Sequence, residues 1–118
     1  MSVKFGIMEL QLKIEPKYII IYLSGPIDAR TANELEESLI RVIEFHSDKD
    51  IIINLQDVKY MSSSGLRIFI SVKNNLIDSL KKLKLCCTTE AVQKVFEITR
   101  VSELFDMYSS EQTAIESL

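Results

Sequence analysis

The run Tyr18-Ile-Ile-Ile-Tyr-Leu23 restricts this chain more than any other feature. It is apolar throughout and of strand length, the pattern of a strand that is mostly buried. A helical pattern follows, with apolar residues at Ala32, Leu35, Leu39, Val42 and Ile43. Ile51-Ile-Ile-Asn-Leu55 then reads as another strand. A strand, a helix and a strand in that order form a unit with parallel strands and a right-handed crossover. The fold class is therefore α/β.

The remaining elements fit around this unit. Ile7 to Ile14 alternates, with Met8, Leu10, Leu12 and Ile14 on one side, as a half-exposed strand does. Glu15-Pro16-Lys17 turns it into Tyr18–Leu23 as a hairpin. Gly25-Pro26 ends the second strand. Thr31 and Glu34 form a capping-box pattern at the first helix, with Asp28 as a rival cap, and the polar segment from His46 to Asp50 closes it. Gln56 to Ser63 is a loop. A second helix runs from Ser64 to about Leu80 and buries Leu66, Phe69, Ile70, Leu76, Ile77 and Leu80. Leu83 to Cys87 is a strand. Thr88 or Thr89 caps a third helix with Val92, Val95 and Phe96 facing inward. Phe105 to Tyr108 is a short strand, and Ser109 or Ser110 caps a last helix carrying Ala114, Ile115 and Leu118. The expectation is one domain over residues 1–118, with a mostly parallel sheet of four or five strands. About four helices accompany it, and the leading hairpin strand lies antiparallel at one edge.

Composition narrows the functional classes. With 118 residues and an apolar share of 47%, the chain can bury a real core. The net charge of -3 gives no overall attraction for nucleic acid or anionic lipid. The cluster Lys81, Lys82, Lys84 is local and reads as a solvated helix end running into a strand edge. Tyr18–Leu23 is the longest unbroken apolar stretch, far short of the roughly 20 residues that span a bilayer, so no membrane insertion is expected. The first residues carry no secretory pattern. Cys86 and Cys87 would point to opposite faces of a strand and read as reduced thiols of a cytoplasmic protein. His46 is the single histidine, and no ligand set for a metal or cofactor is visible.

In parallel sheets of this class, ligands bind at the carboxyl ends of the strands. Asp28, Ser62-Ser63-Ser64 and Thr88-Thr89 all follow strands and should meet there. Each residue type is also an ordinary helix cap. At 100° per residue, Ser64, Arg67, Ile68 and Ser71 fall opposite the buried face centred on Leu66. Ile68 on that otherwise polar face would suit cover by a partner, although single exposed apolar residues are common.

Asp57-Val-Lys-Tyr-Met-Ser-Ser-Ser-Gly-Leu66 resembles the signature loop of the anti-sigma-factor antagonist (STAS) family, and Leu23-Ser-Gly-Pro-Ile-Asp28 resembles its entry to the first helix. The Val95-Phe96 helix, Phe105 and the Ser110-Glu-Gln-Thr-Ala114 ending extend the likeness over essentially the whole chain. The resemblance implies a STAS-like (βα) superhelix and a protein that is not an enzyme. It implies phosphorylation of the hydroxyl before the glycine, Ser64, with Ser63 and Ser62 as alternatives. The implied partner is an anti-sigma factor that is also a serine kinase. The unmodified antagonist binds this kinase and frees the sigma factor, phosphorylation ends binding, and a serine phosphatase restores it. Together with the helix face read above, the expected docking surface centres on Ser64, Gly65, Arg67 and Ile68, with Asp28, Ser62 and Ser63 beside it. Ser62 stands where the family usually has Asp. Arg100 stands where many members have a helix-ending glycine, which implies a different terminus there.

Two other classes remain open on the sequence. A STAS subunit of a transporter or of a signalling scaffold would share the fold without a sigma-factor role. A serine hydrolase would need a base beside its nucleophile, but the Gly-x-Ser-x-Gly elbow is absent and His46 is expected at the far end of the sheet. No glycine-rich phosphate loop argues for a bound nucleotide.

Overall fold

The computed structural model describes residues 2–118, with the backbone alone for Phe5. Strands β1 (Ser2–Phe5), β2 (Met8–Ile14) and β3 (Tyr18–Ser24) come first, then α1 (Ala32–Phe45) and β4 (Asp50–Asp57). Helix α2 (Ser63–Asn75), β5 (Leu83–Cys86) and α3 (Glu90–Ile98) follow. A 3-10 turn at Val101–Leu104, β6 (Asp106–Tyr108) and α4 (Glu111–Glu116) complete the chain. The sheet has six strands in the order β1-β2-β3-β4-β5-β6. β1, β2 and β3 pair antiparallel, whereas β3 to β6 pair parallel. The expected four or five strands thus become six, and the antiparallel edge is β1, one hairpin earlier than the alternation after Ile7 indicates.

Strand alternation assigns each layer. Ile19, Ile21, Ile51, Ile53 and Leu85 point into the large core with Leu35 and Leu39 of α1, Phe69 of α2 and Phe96 of α3. Ile20, Ile52 and Cys86 point the other way, against Ala114 of α4. Burial on both faces is why β3 and β4 are apolar almost throughout.

Several expectations need correction. Helix α2 stops at Asn75, and Ile77 and Leu80 are exposed rather than buried. Asn74-Asn75 are poor helix formers that favour turns, and the chain continues in short turns in which Leu76 N–H donates to Lys73 O and Ser79 N–H to Leu76 O. Thr31 does not cap α1 through its side chain; its hydroxyl donates to Pro26 O and accepts from Asp28 N–H. Lys84 is buried rather than solvated, paired with Asp106 at 2.9 Å. Cys87 leaves the strand at φ +64°, so both free thiols lie against the α4 face instead of opposite faces. Arg100 occupies the left-handed region at φ +63°. The helix terminus therefore keeps the conformation a glycine would supply, contrary to the expected change. No helix among the described residues is long and apolar enough to cross a membrane.

Candidate functional site

The carboxyl ends of β3, β4 and β5 bring the three expected loops together. The segment after β3 and the loop after β4 are joined by backbone hydrogen bonds. Ile27 N–H donates to Tyr60 O at 3.0 Å, Ser62 N–H donates to Ile27 O at 2.9 Å, and Ile27 bridges Met61. Thr89 ties in the third loop, because its hydroxyl donates to Val58 O at 3.2 Å while accepting from Val92 N–H as the cap of α3.

Ser62 is the N-cap of α2, in extended conformation, and its hydroxyl accepts from Gly65 N–H at 3.0 Å. This satisfies one of the free amides of the first turn. The cap falls one residue earlier than a helix starting at Ser64 requires. Ser63 and Ser64 become the first two helical residues, and both are exposed. An aspartate at position 62 could make the same capping bond, so serine retains the cap and removes a charge.

Gly65 is buried against the segment after β3. A Cβ on it would lie 2.5 Å from Ile27 O and 2.7 Å from Ile27 Cγ2. The absence of a side chain lets the helix start press onto this backbone. Arg67 is exposed, one helical turn beyond Ser64. Ile68 is not: it is 0% exposed and belongs to the core. Helix α2 rests on the sheet and also against α1, where Ser71 donates to Glu36 at 2.7 Å. Its buried arc is therefore wider than one face centred on Leu66, and Ile68 is removed from the docking surface.

Asp28 sits beside this unit, half-buried. Its carboxylate accepts from the Arg30 backbone N–H at 2.9 Å and pairs with the Arg30 guanidinium at 3.0 Å. The Arg30 guanidinium, aided by the backbone amides of Arg30 and Thr31 and opposed by desolvation, holds this carboxyl below its usual range. Arg30 and the exposed Tyr60 are neighbours that motif spacing did not single out. Arg30 was signalled only by its place two residues after Asp28, whereas Tyr60 lies within the loop motif Asp57–Leu66. His46 closes α1 at the opposite end of the sheet from Ser64, out of reach as a base. Among the described residues, no group of three or more His, Cys, Asp or Glu side chains could hold a metal ion.

The site thus offers an exposed hydroxyl on a rigid, glycine-packed helix start. The family described as STAS domain matches residues 9–114. The chain belongs to the STAS domain family. An anti-sigma-B factor antagonist of Staphylococcus aureus is 29% identical over 109 residues, covering 92% of this chain and 98% of that relative. Among solved structures, an anti-sigma factor antagonist from Mycobacterium paratuberculosis superposes with a TM-score of 0.83 at 21% identity, covering 93% of this STAS chain and 92% of the other. The Bacillus cell fate determinant SpoIIAA, solved in its phosphorylated form, has a TM-score of 0.66 at 22% identity, with 92% of this chain and 97% of that one covered. These structures share the STAS fold seen here.

Proposed function

We propose that this STAS protein is an anti-sigma factor antagonist of the cytoplasm, a binding module and not an enzyme. Its unmodified form docks an anti-sigma factor that is also a serine kinase and thereby frees a sigma factor. Phosphorylation of Ser64 ends the complex, and a serine phosphatase restores it. The names of the relatives support the general role. The observation that carries the switch is the exposure of Ser64 beside a cap whose own hydroxyl is occupied. Ser62 is the weaker acceptor, because its hydroxyl already serves Gly65 N–H.

A phosphoserine adds about -1.5 to -2 charges. At a helix start, free amides and the macrodipole favour negative charge, so the phosphate should not melt α2. Release must arise at the interface. Converting a mostly bound partner to a mostly free one takes a differential of about 5.5 kcal/mol. A charge at the rim rarely supplies that, whereas a covered and unpaired dianion does. Ser64 therefore belongs inside the footprint, with Gly65 and Arg67 around it and Asp28, Ser62 and Ser63 beside it.

The test uses ATP and the anti-sigma factor kinase encoded in the same genome, with peptide mass spectrometry and binding measurements. Phosphate should appear on Ser64. Ser64→Asp should lose the complex, and Ser64→Ala should bind without being modified. Phosphate on Ser62 or Ser63 alone, or tight binding by Ser64→Asp, overturns the assignment.

A further inference from the structure

With Ile68 in the core, the docking surface needs another apolar contribution. Two large apolar side chains stand out at the Ser64 end of the sheet. Ile7 is 63% exposed in the turn between β1 and β2, and Tyr60 is 55% exposed in the loop before Ser62. Both sit on backbone packed against the segment after β3. Gly25, at φ +109°, lets the Ile7 turn approach so closely that a Cβ there would lie 2.5 Å from Ile7 O. Two residues further on, about 7 Å of extended chain, Ile27 meets Gly65 with the same closeness. Tyr60 is fixed from the other side, its carbonyl accepting from Ile27 N–H at 3.0 Å. The turn carrying Ile7, the loop carrying Tyr60 and the helix start carrying Ser64 are therefore one packed unit around Ile27.

The size of a partner's footprint extends over this unit. A standard interface covers about 800 Å² on each side, a disc of roughly 16 Å radius. The whole molecule measures only 32 × 28 × 25 Å. A partner centred on Ser64, as the proposed switch requires, reaches both side chains. Exposed apolar residues within a covered area are the usual anchors, seated in pockets on the partner.

We infer that Ile7 and Tyr60 are the apolar anchors of the surface around Ser64, each filling a pocket on the anti-sigma factor kinase. The inference rests on the proposed function and names the residues that hold the kinase before and during phosphoryl transfer. Neither side chain takes part in the transfer, so each contributes to substrate and transition-state binding alike. Removing such uniform binding raises KM and leaves kcat unchanged.

The experiment compares Ile7→Ala, Tyr60→Ala, Ser64→Asp and Phe45→Ala with the wild type, using the purified anti-sigma factor kinase from the same genome. Phe45 is 83% exposed where α1 ends, away from Ser64, and serves as the control. Ile7→Ala and Tyr60→Ala should each raise the Kd about tenfold. They should raise KM for Ser64 phosphorylation by a similar factor at unchanged kcat, with Tm at the wild-type value. Phe45→Ala should bind like wild type. If Ser64→Asp loses the complex while Ile7→Ala and Tyr60→Ala bind normally, the anchors are wrong and the switch stands. Equal weakening by Phe45→Ala also overturns the anchors. If the wild type does not bind this kinase, or Ser64→Asp binds as well as wild type, the switch itself fails and the anchors with it.

Discussion

Gly65 and Ile27 are packed so tightly that the helix bearing Ser64 has no room for a methyl group at its third residue: a Cβ on Gly65 would meet Ile27 O at 2.5 Å and Ile27 Cγ2 at 2.7 Å. Backbone cannot yield as a side chain would. Gly65→Ala should therefore cost about 1–3 kcal/mol, read by denaturant unfolding, even though alanine is the better helix former. An unchanged midpoint would contradict the observed packing.

Ser62 separates capping from charge. Ser62→Ala removes the acceptor for Gly65 N–H and should lower stability by about 1 kcal/mol. Ser62→Asp should retain wild-type stability, because an aspartate caps as well as a serine. Thermal unfolding of the two variants side by side provides the measurement.

Ile68→Ala should cost about 2–5 kcal/mol, as expected for a fully buried aliphatic side chain, because Ile68 is 0% exposed. A loss of this size in urea unfolding goes with a core role. A change below about 0.5 kcal/mol would instead match an ordinary surface residue.

Asp28 gives a pH dependence whose sign is fixed. Its folded pKa lies below the ordinary value of 3.8. The carboxylate therefore stabilises the fold above that ordinary value, and the contribution disappears as pH falls through the lower, folded pKa. Wild-type Tm should drop more steeply as the pH falls below about 4 than the Tm of Asp28→Asn. Parallel curves would mean that the Arg30 pairing does not act on stability.

Arg100 holds a left-handed conformation at φ +63°, which costs a residue with a Cβ roughly 1–2 kcal/mol. Arg100→Gly relieves that cost, at some loss in chain entropy, and should raise Tm by a few degrees. A fall in Tm would show that the arginine side chain contributes more than its backbone costs.

The central sheet and the meeting of three loops were readable because they follow from strong, local patterns. β3 and β4 are apolar on both faces, and Thr89 and Ser110 cap their helices in the way their side chains allow. What could not be read depended on neighbours distant in sequence. Ile68 appears exposed on a helical wheel that has one core direction, and only the presence of α1 supplies the second. Lys84 joins a charged cluster in sequence, but Asp106 lies opposite it in the parallel ladder. β1 has four residues and little periodicity to detect, although Gly6 next to an alternating run was a usable turn signal. The turn position and exposure of Ile7 went unread with it, since the alternation places that residue at the start of a strand.

The sheet runs from one edge to the other in chain order, and this has a bearing on what can settle at its Ser64 end. In doubly wound proteins the order reverses midway, successive helices diverge to opposite sides, and the crevice between them accepts a cofactor. Here nothing reverses: α1, α2 and α3 all share one layer, and the loops above them close up side by side without parting. Such an end has no switch-point crevice between diverging helices, and the starts of α1, α2 and α3 stand in a row along one side of the sheet.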